Sequence, residues 1–198
     1  MALEHRISEL DTYLFAKGTH YEIYEKMGAH LAEEDGKAGT YFAVWAPNAR
    51  CVSVVGDFNN WDRSAHPMQP VQQSGIWDIF VPGVKAGDLY KFAVETSQGY
   101  TVLKADPYGN QSQLRPDNAS VVADIRHFDW TDQAWRKEHQ EKKTESPMAI
   151  YEVHPGSWKK DPSMPGEFYN FKKLAVELAD YVLEMGYTHV ELIGLSEH

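Results

Sequence analysis

The chain has 198 residues, 42% of them hydrophobic and 13% aromatic, and carries a formal net charge of −10. Such a charge repels polyanions, so nucleic acid is not an expected partner, and there is no run of about 18 apolar residues to cross a bilayer. The opening MALEHRISELDTYLF has early acids and no apolar secretion segment, and with Cys51 as the sole cysteine an internal disulfide is excluded. The expectation is a cytoplasmic protein of one domain or slightly more.

Residues 1–36 read as a helical or irregular lead-in. Ser8-Glu9-Leu10-Asp11 and Tyr21-Glu22-Ile23-Tyr24 form short amphipathic pieces, and Glu33-Glu34-Asp35-Gly36-Lys37 is a charged turn. From Thr40 the pattern changes to short β-forming runs at 41–45, 51–55, 76–81, 89–95 and 120–125, punctuated by Pro47, Gly56, Pro82-Gly83 and Gly99. Strands of this length and spacing predict a mainly β chain, with an antiparallel sandwich of immunoglobulin type over 37–126. Trp77, Ile79 and Val81 share one face with Asp78 opposite. Tyr90, Phe92 and Val94 share another, leaving Lys91 and Glu95 outward.

A second change comes near Asp129. Trp130-Thr131-Asp132 opens a short helix with Thr131 as its N-cap, and the charged run 137–145 completes a linker over 127–147. A buried strand is expected at 148–153. Phe171, Leu174, Leu178, Val182 and Met185 fall at spacings of three and four, a helical stripe, and Gly186 follows as its C-cap. A second apolar strand spans 190–195. This is one β-α-β unit, expected to be parallel and right-handed. Two parallel strands and one helix cannot bury both faces of their sheet, so further chain is expected after His198.

The stretch GDFNNWD, from Gly56 to Asp62, sits between two strand patterns. Asn-Asn is ordinary turn chemistry, and a tryptophan beside it can simply close the end of a sandwich. It can also offer a flat face to a ligand. Lys91 and Tyr100 add a long donor and a second aromatic, a set suited to a sugar. A pyranose has an apolar CH face that stacks on rings and hydroxyls that need partners, which Asn59 and Asn60 could supply.

These residues carry a resemblance. YFAVWAPNARCVSVVGDFNNWD and GIWDIFVPGVKAGDLYKFAVE resemble the glycogen-binding modules of the α-amylase superfamily. By motif position the resemblance assigns α-glucan contacts to Trp61, Lys91 and Tyr100, with Asn60 beside them. Position 100 holds tyrosine where stand-alone modules commonly hold tryptophan, which implies weaker binding. FAKGTHYEIYEKMGAH, KADPYGNQSQLRPDNASVV, IYEVHPGSW and YVLEMGYTHVELIGLSEH extend the similarity, over nearly the whole chain, to bacterial 1,4-α-glucan branching enzymes. Pro155 stands in place of the leucine usual in VHLGSW, and Gly194-Leu195 in place of the usual Pro-Val.

The resemblance implies transfer of an α-1,4-glucan segment to a 6-hydroxyl by double displacement, forming an α-1,6 branch. Retaining chemistry of this kind uses two carboxylates about 5–5.5 Å apart. In a (β/α)8 barrel such groups sit at the C-terminal ends of strands, and the barrel takes about 250 residues. Residues 148–198 would supply its first two strands, so no catalytic role falls on this chain, which is expected to be inactive by itself. The implied partners are α-glucan and the remainder of the barrel; no cofactor is implied. Two other readings stay open: a stand-alone α-glucan-binding or scaffolding module, and a sandwich in which Trp61, Lys91 and Tyr100 bind nothing.

The other reactive residues point to bland roles. His154 and His198 lie at the ends of the two expected parallel strands, and with Glu197 could approach a metal. Zinc wants three or four defined ligands, so polar contacts at a barrel rim fit better. Ser157 lacks a Gly-X-Ser-X-Gly context, Cys51 reads as a sheet filler, and Gly56, Gly75 and Gly83 read as turns. Asn118-Ala119-Ser120 matches the glycosylation pattern but reads as a loop.

Overall fold

The computed structural model describes residues 6–126, 129–140, 146–164 and 166–195. It divides into two compact units, Met1–Asp129 and Trp130–His198. No helix among the described residues is long and apolar enough to cross a membrane.

The first unit contains two antiparallel sheets. Strands β1 (Gly28–Glu34), β2 (Lys37–Trp45), β4 (Gln69–Pro70) and β5 (Ile76–Pro82) make one, in the order β1-β2-β5-β4. Strands β3 (Ala49–Gly56), β6 (Leu89–Thr96) and β7 (Thr101–Lys104) make the other, with β8 (Ser120–Val121) also paired to β6. Phe42, Val44 and Val81 of the first sheet meet Val52, Val54, Tyr90 and Phe92 of the second in one buried cluster. The Phe42 and Tyr90 rings touch edge to face at 5.0 Å between centroids. The inward alternation of β6 thus follows the sequence pattern, with Lys91 and Glu95 on the opposite face.

The first sheet begins earlier than the β-forming runs indicate. Gly28–Glu34 falls in the segment read as a lead-in, yet it pairs with β2 from Gly28↔Ala43 to Glu34↔Lys37. The charged turn is the hairpin's tip: Asp35 and Gly36 both have positive φ (50° and 72°), the geometry that suits a tight two-residue connection. GAHLAEE contains no β-branched residue, so local preference hides the strand and pairing creates it. At the other end, the run 120–125 contributes only Ser120–Val121 as strand.

The N-terminal segment covers the outer face of that sheet. Helix α1 (Glu9–Ala16) is capped by Ser8, whose side chain accepts from the Asp11 N–H while the Asp11 carboxylate accepts from the Ser8 N–H. Ile7, Ile23 and Met27 pack with Tyr41, Ala43, Val71 and Ile76. Strand β2 is therefore buried on both faces, and its YFAV run is continuous rather than alternating. Asp78 is buried too, accepting a hydrogen bond from the Tyr41 hydroxyl. Asp11 accepts from Lys26 Nζ, Ser8 Oγ and His20 Nε2. Burial alone would raise its pKa, but these bonds outweigh burial and hold the carboxyl well below the usual range.

In the second unit, β9 (Ile150–Val153) and β10 (His189–Leu192) are parallel, registered from His189↔Ile150 to Leu192↔Val153. Helix α2 (Gln133–Gln140) precedes them, and the short α3 (Pro155–Trp158) and long α4 (Phe171–Met185) lie between. Asn170 caps α4 by accepting from the Lys173 N–H, and Gly186 ends it in the left-handed region at φ 77°. Leu174, Leu178 and Val182 form the buried stripe, whereas Phe171 and Met185 at its ends are exposed. Two expectations change. Helix α2 takes in residues 137–140 of the charged run read as linker, its residues 141–145 lying outside the described ones. The strands are short, and Ile150, Val190 and Leu192 are exposed; only Val153 is buried, against Leu178 and Val182.

Candidate functional site

Strand β3 ends at Gly56, where no larger residue fits. A Cβ there would lie 2.1 Å from the Leu89 carbonyl oxygen and 2.6 Å from the Phe58 ring. The chain then makes a tight turn over Asp57–Asn59. Asn59 Oδ1 accepts from the Gly56 N–H (2.9 Å), and its Nδ2 donates to the Val54 carbonyl (3.0 Å) and to His66 Nδ1 (2.8 Å). That last bond needs an unprotonated Nδ1, and burial lowers the His66 pKa, favouring the neutral ring. Both amide hydrogens of Asn59 are thereby used, so it serves the loop rather than a ligand. Phe58 points inward, with its ring against Phe42.

Asn60 and Trp61 come next, both left-handed, at φ 53° and 59°. For a residue as bulky as tryptophan this is strained backbone, costing about 1–2 kcal/mol. The loop holds it there. The Trp61 N–H donates to the Gly56 carbonyl (3.0 Å), the Asp62 N–H to the Asn59 carbonyl (3.0 Å), and the indole Nε1–H to Asp57 Oδ1 (2.9 Å). No other ring packs on Trp61 among the described residues, and the side chain is half-buried. Loop closure and aromatic presentation are thus divided between neighbours: Phe58 and Asn59 close the loop, and Trp61 stands at its edge.

The register brings Lys91 to the root of this loop, since Gly56 pairs with Tyr90 and Val55 with Lys91. Lys91 Nζ donates to Asn118 Oδ1. The segment carrying Asn118 reaches the same end because Ser120 pairs with Tyr90. It is pinned below by Asp106, which accepts from the Tyr90 hydroxyl and whose N–H donates to Ser120 Oγ (2.8 Å). Burial pushes the Asp106 carboxyl up. Asn60, Trp61 and Lys91 therefore share one end of the second sheet. Tyr100 does not join them. Its carbonyl accepts from the Thr96 N–H (2.9 Å) at the far end of β6, and the five steps along the strand from Lys91 to Thr96 span about 16 Å. Its side chain is 55% exposed.

Asp57 and Asn118 are the partners that sequence reasoning missed. Asp57 was visible in GDFNNWD as an acid four residues before the tryptophan. Asn118 offered only a glycosylation-type pattern, and nothing local pairs it with Lys91. Among the described residues no three His, Cys, Asp or Glu side chains cluster to hold a metal. Glu197 and His198 lie outside those residues.

Residues 26–109, which hold most of this sandwich and its aromatic loop, match the family model of carbohydrate-binding module 48 (isoamylase N-terminal domain). The whole chain goes further: it is 52% identical over 191 residues to the 1,4-alpha-glucan branching enzyme GlgB of Protochlamydia amoebophila, and 50% identical over 194 residues to that of Butyrivibrio fibrisolvens. These alignments cover 96% and 97% of this chain but 26% and 30% of the relatives, so the chain spans less than a third of their length, at the N-terminal part. Among solved structures, the catalytic module of the glycogen-degrading pneumococcal virulence factor SpuA matches with a TM-score of 0.62 at 25% identity. That match covers 85% of this chain and 26% of that one. The GBS pullulanase SAP, solved with maltotetraose, shares the fold at a TM-score of 0.60 and 20% identity, over 87% of this chain and 24% of its own.

Proposed function

We propose that this chain is the N-terminal portion of a 1,4-α-glucan branching enzyme, and that its module holds α-glucan at the surface of Asn60, Trp61 and Lys91, with Tyr100 as a distant second contact. The observation that carries the binding surface is the strained Trp61, its indole held by Asp57 in the loop that follows the strand paired with Lys91. Strain of this kind persists where surrounding structure over-determines it, and it concentrates at ligand sites. A glucan strand would lay a sugar's CH face on the indole while Lys91 and Asn60 meet its hydroxyls. The separation of Tyr100 from Lys91 suits several linked sugars rather than one.

Residues 148–198 would then form the first β-α-β unit of a (β/α)8 barrel, with the remaining barrel strands as the partner of β9 and β10. Residues 127–147 would link that barrel to the module. In this reading the attacking and proton-transferring carboxylates of a retaining transfer lie outside these residues, so the chain binds glucan without remodelling it.

Affinity electrophoresis through a glycogen-containing gel tests the surface. The wild-type chain should be retarded, and Trp61→Ala should lose that retardation with an unchanged unfolding transition. An unretarded wild type removes the assignment. Incubation with linear α-glucan should produce no new α-1,6 linkages; turnover by this chain would refute the division of labour.

A further inference from the structure

We propose that the buried carboxyl of Asp106 is a positioning residue for Lys91: it ties down the arm whose Asn118 aims the lysine at the glucan. This rests on the glucan reading of Trp61 and Lys91 above, and adds what directs the lysine. A lysine amino group ends a flexible four-carbon stem, so on an open sheet face it meets sugar hydroxyls well only if something holds it beforehand. Here the holder is Asn118, whose Oδ1 accepts from Lys91 Nζ. Asn118 is itself exposed and lies two residues before the short β8, so its place depends on how its own segment is anchored.

The anchoring runs in a circuit from Tyr90 back to Lys91. The Tyr90 hydroxyl, fully buried, donates to Asp106 Oδ2. Burial and the neighbouring carboxylate push the pKa of that hydroxyl up, so it keeps the proton it donates. Asp106 Oδ1 accepts from the Tyr108 N–H (2.8 Å) and the Asp106 carbonyl from the Gly109 N–H (3.1 Å), which fixes the turn at 106–109. The Asp106 N–H then donates to Ser120 Oγ (2.8 Å), and Ser120 pairs with Tyr90. Between these ends the arm folds back on itself. The Gln113 N–H donates to the Ala119 carbonyl and the Val121 N–H to the Gln111 carbonyl, both at 2.8 Å. Asn118 is thereby carried to Lys91, the residue next to Tyr90.

Trp61 is held by other bonds. Those of its loop run to Gly56, Asp57 and Asn59, and the arm takes no part in them. The two halves of the glucan surface thus have separate supports, Asp57 for the indole and Asp106 for the amino group. Loosening the arm should remove the lysine's contribution and leave the indole's. A side chain that merely stabilised the sandwich would not separate the two.

The test is a double-mutant cycle on the full chain, with dissociation constants read from retardation in gels of graded glycogen content. Lys91→Ala alone should weaken binding about tenfold, the scale of one hydrogen bond from a charged group. With Asp106→Ala present, Lys91→Ala should cost less than about twofold, while the milder Trp61→Phe costs the same as without it. Asn118→Ala, at an exposed position, should reproduce the loss of the Lys91 effect without touching the core. Asp106→Asn should restore that effect, because its oxygen still accepts from the Tyr108 N–H and its amide can donate to the Tyr90 oxygen. Tyr90→Phe removes only the hydroxyl, and is read in the same way should Asp106→Ala fail to fold. A Lys91→Ala cost that is absent to begin with, or undiminished by Asp106→Ala, overturns the positioning role and leaves Trp61 standing. A Trp61→Phe cost that vanishes together with the Lys91 effect also overturns it, as the mark of general loosening. An unretarded wild type removes both readings.

Discussion

In the first unit β2 is covered twice, by the second sheet on one face and by Ile7, Ile23 and Met27 on the other. In the second unit β9 and β10 bury little beyond Val153 and leave Ile150, Val190 and Leu192 exposed. Both sets of strands are apolar in sequence, so hydrophobicity alone does not tell which will be buried. The difference lies in what each chain segment has to pack against. Its consequence is that substitutions of similar chemistry should cost very different amounts in the two units.

The comparison breaks most visibly at Phe42, fully buried between the sheets. Phe42→Ala should destabilise the first unit by about 3–5 kcal/mol, measured by urea denaturation; a cost below 1 kcal/mol would mean the sandwich core is not packed as described. Gly56→Ala comes next. The Cβ clash with the Leu89 carbonyl should force β3 from β6 at about 1–3 kcal/mol, and the same denaturation curves would show it. The smallest stability effect belongs to the second unit: Val190→Thr on exposed β10 should change stability by less than about 1 kcal/mol.

The Asp11 cluster sharpens the contrast through pH. A carboxyl whose folded-state pKa lies below its ordinary value of 3.8 stabilises the fold above that value. The stabilisation is lost as pH falls below it. Thermal melts of the wild type should therefore decline on acidification below about 3.8 more steeply than those of Asp11→Asn. Equal slopes would show that the N-terminal segment is not held by this carboxylate.

Much of this was legible in the residues themselves. The inward faces of β5 and β6, the α4 stripe and its Gly186 cap follow directly from periodicity and from the need for a left-handed residue at a helix end. Strand β1 was not legible, because alanine and glutamate do not announce a strand and only the Asp35-Gly36 hairpin lays them against β2. The candidate site divides in the same way. Trp61 and Lys91 stand out by type, but Asn59 looks as available as Asn60 until the Val54 carbonyl and His66 are placed against it. The separation of Tyr100 from Lys91 is a matter of register, which motif order does not contain.

The cover formed by Ile7, Ile23 and Met27 bears on how portable the module is. The family match begins at residue 26, and a graft cut there would carry Met27 but leave Ile7 and Ile23 behind. Tyr41, Ala43 and Ile76 would then face water on the sheet's outer side, beside the buried Asp78. A transplanted module that starts before Ile7 keeps that face dry. One that starts at the family boundary brings a sticky surface to its new host, and its tendency to self-associate would be set by residues lying outside the match.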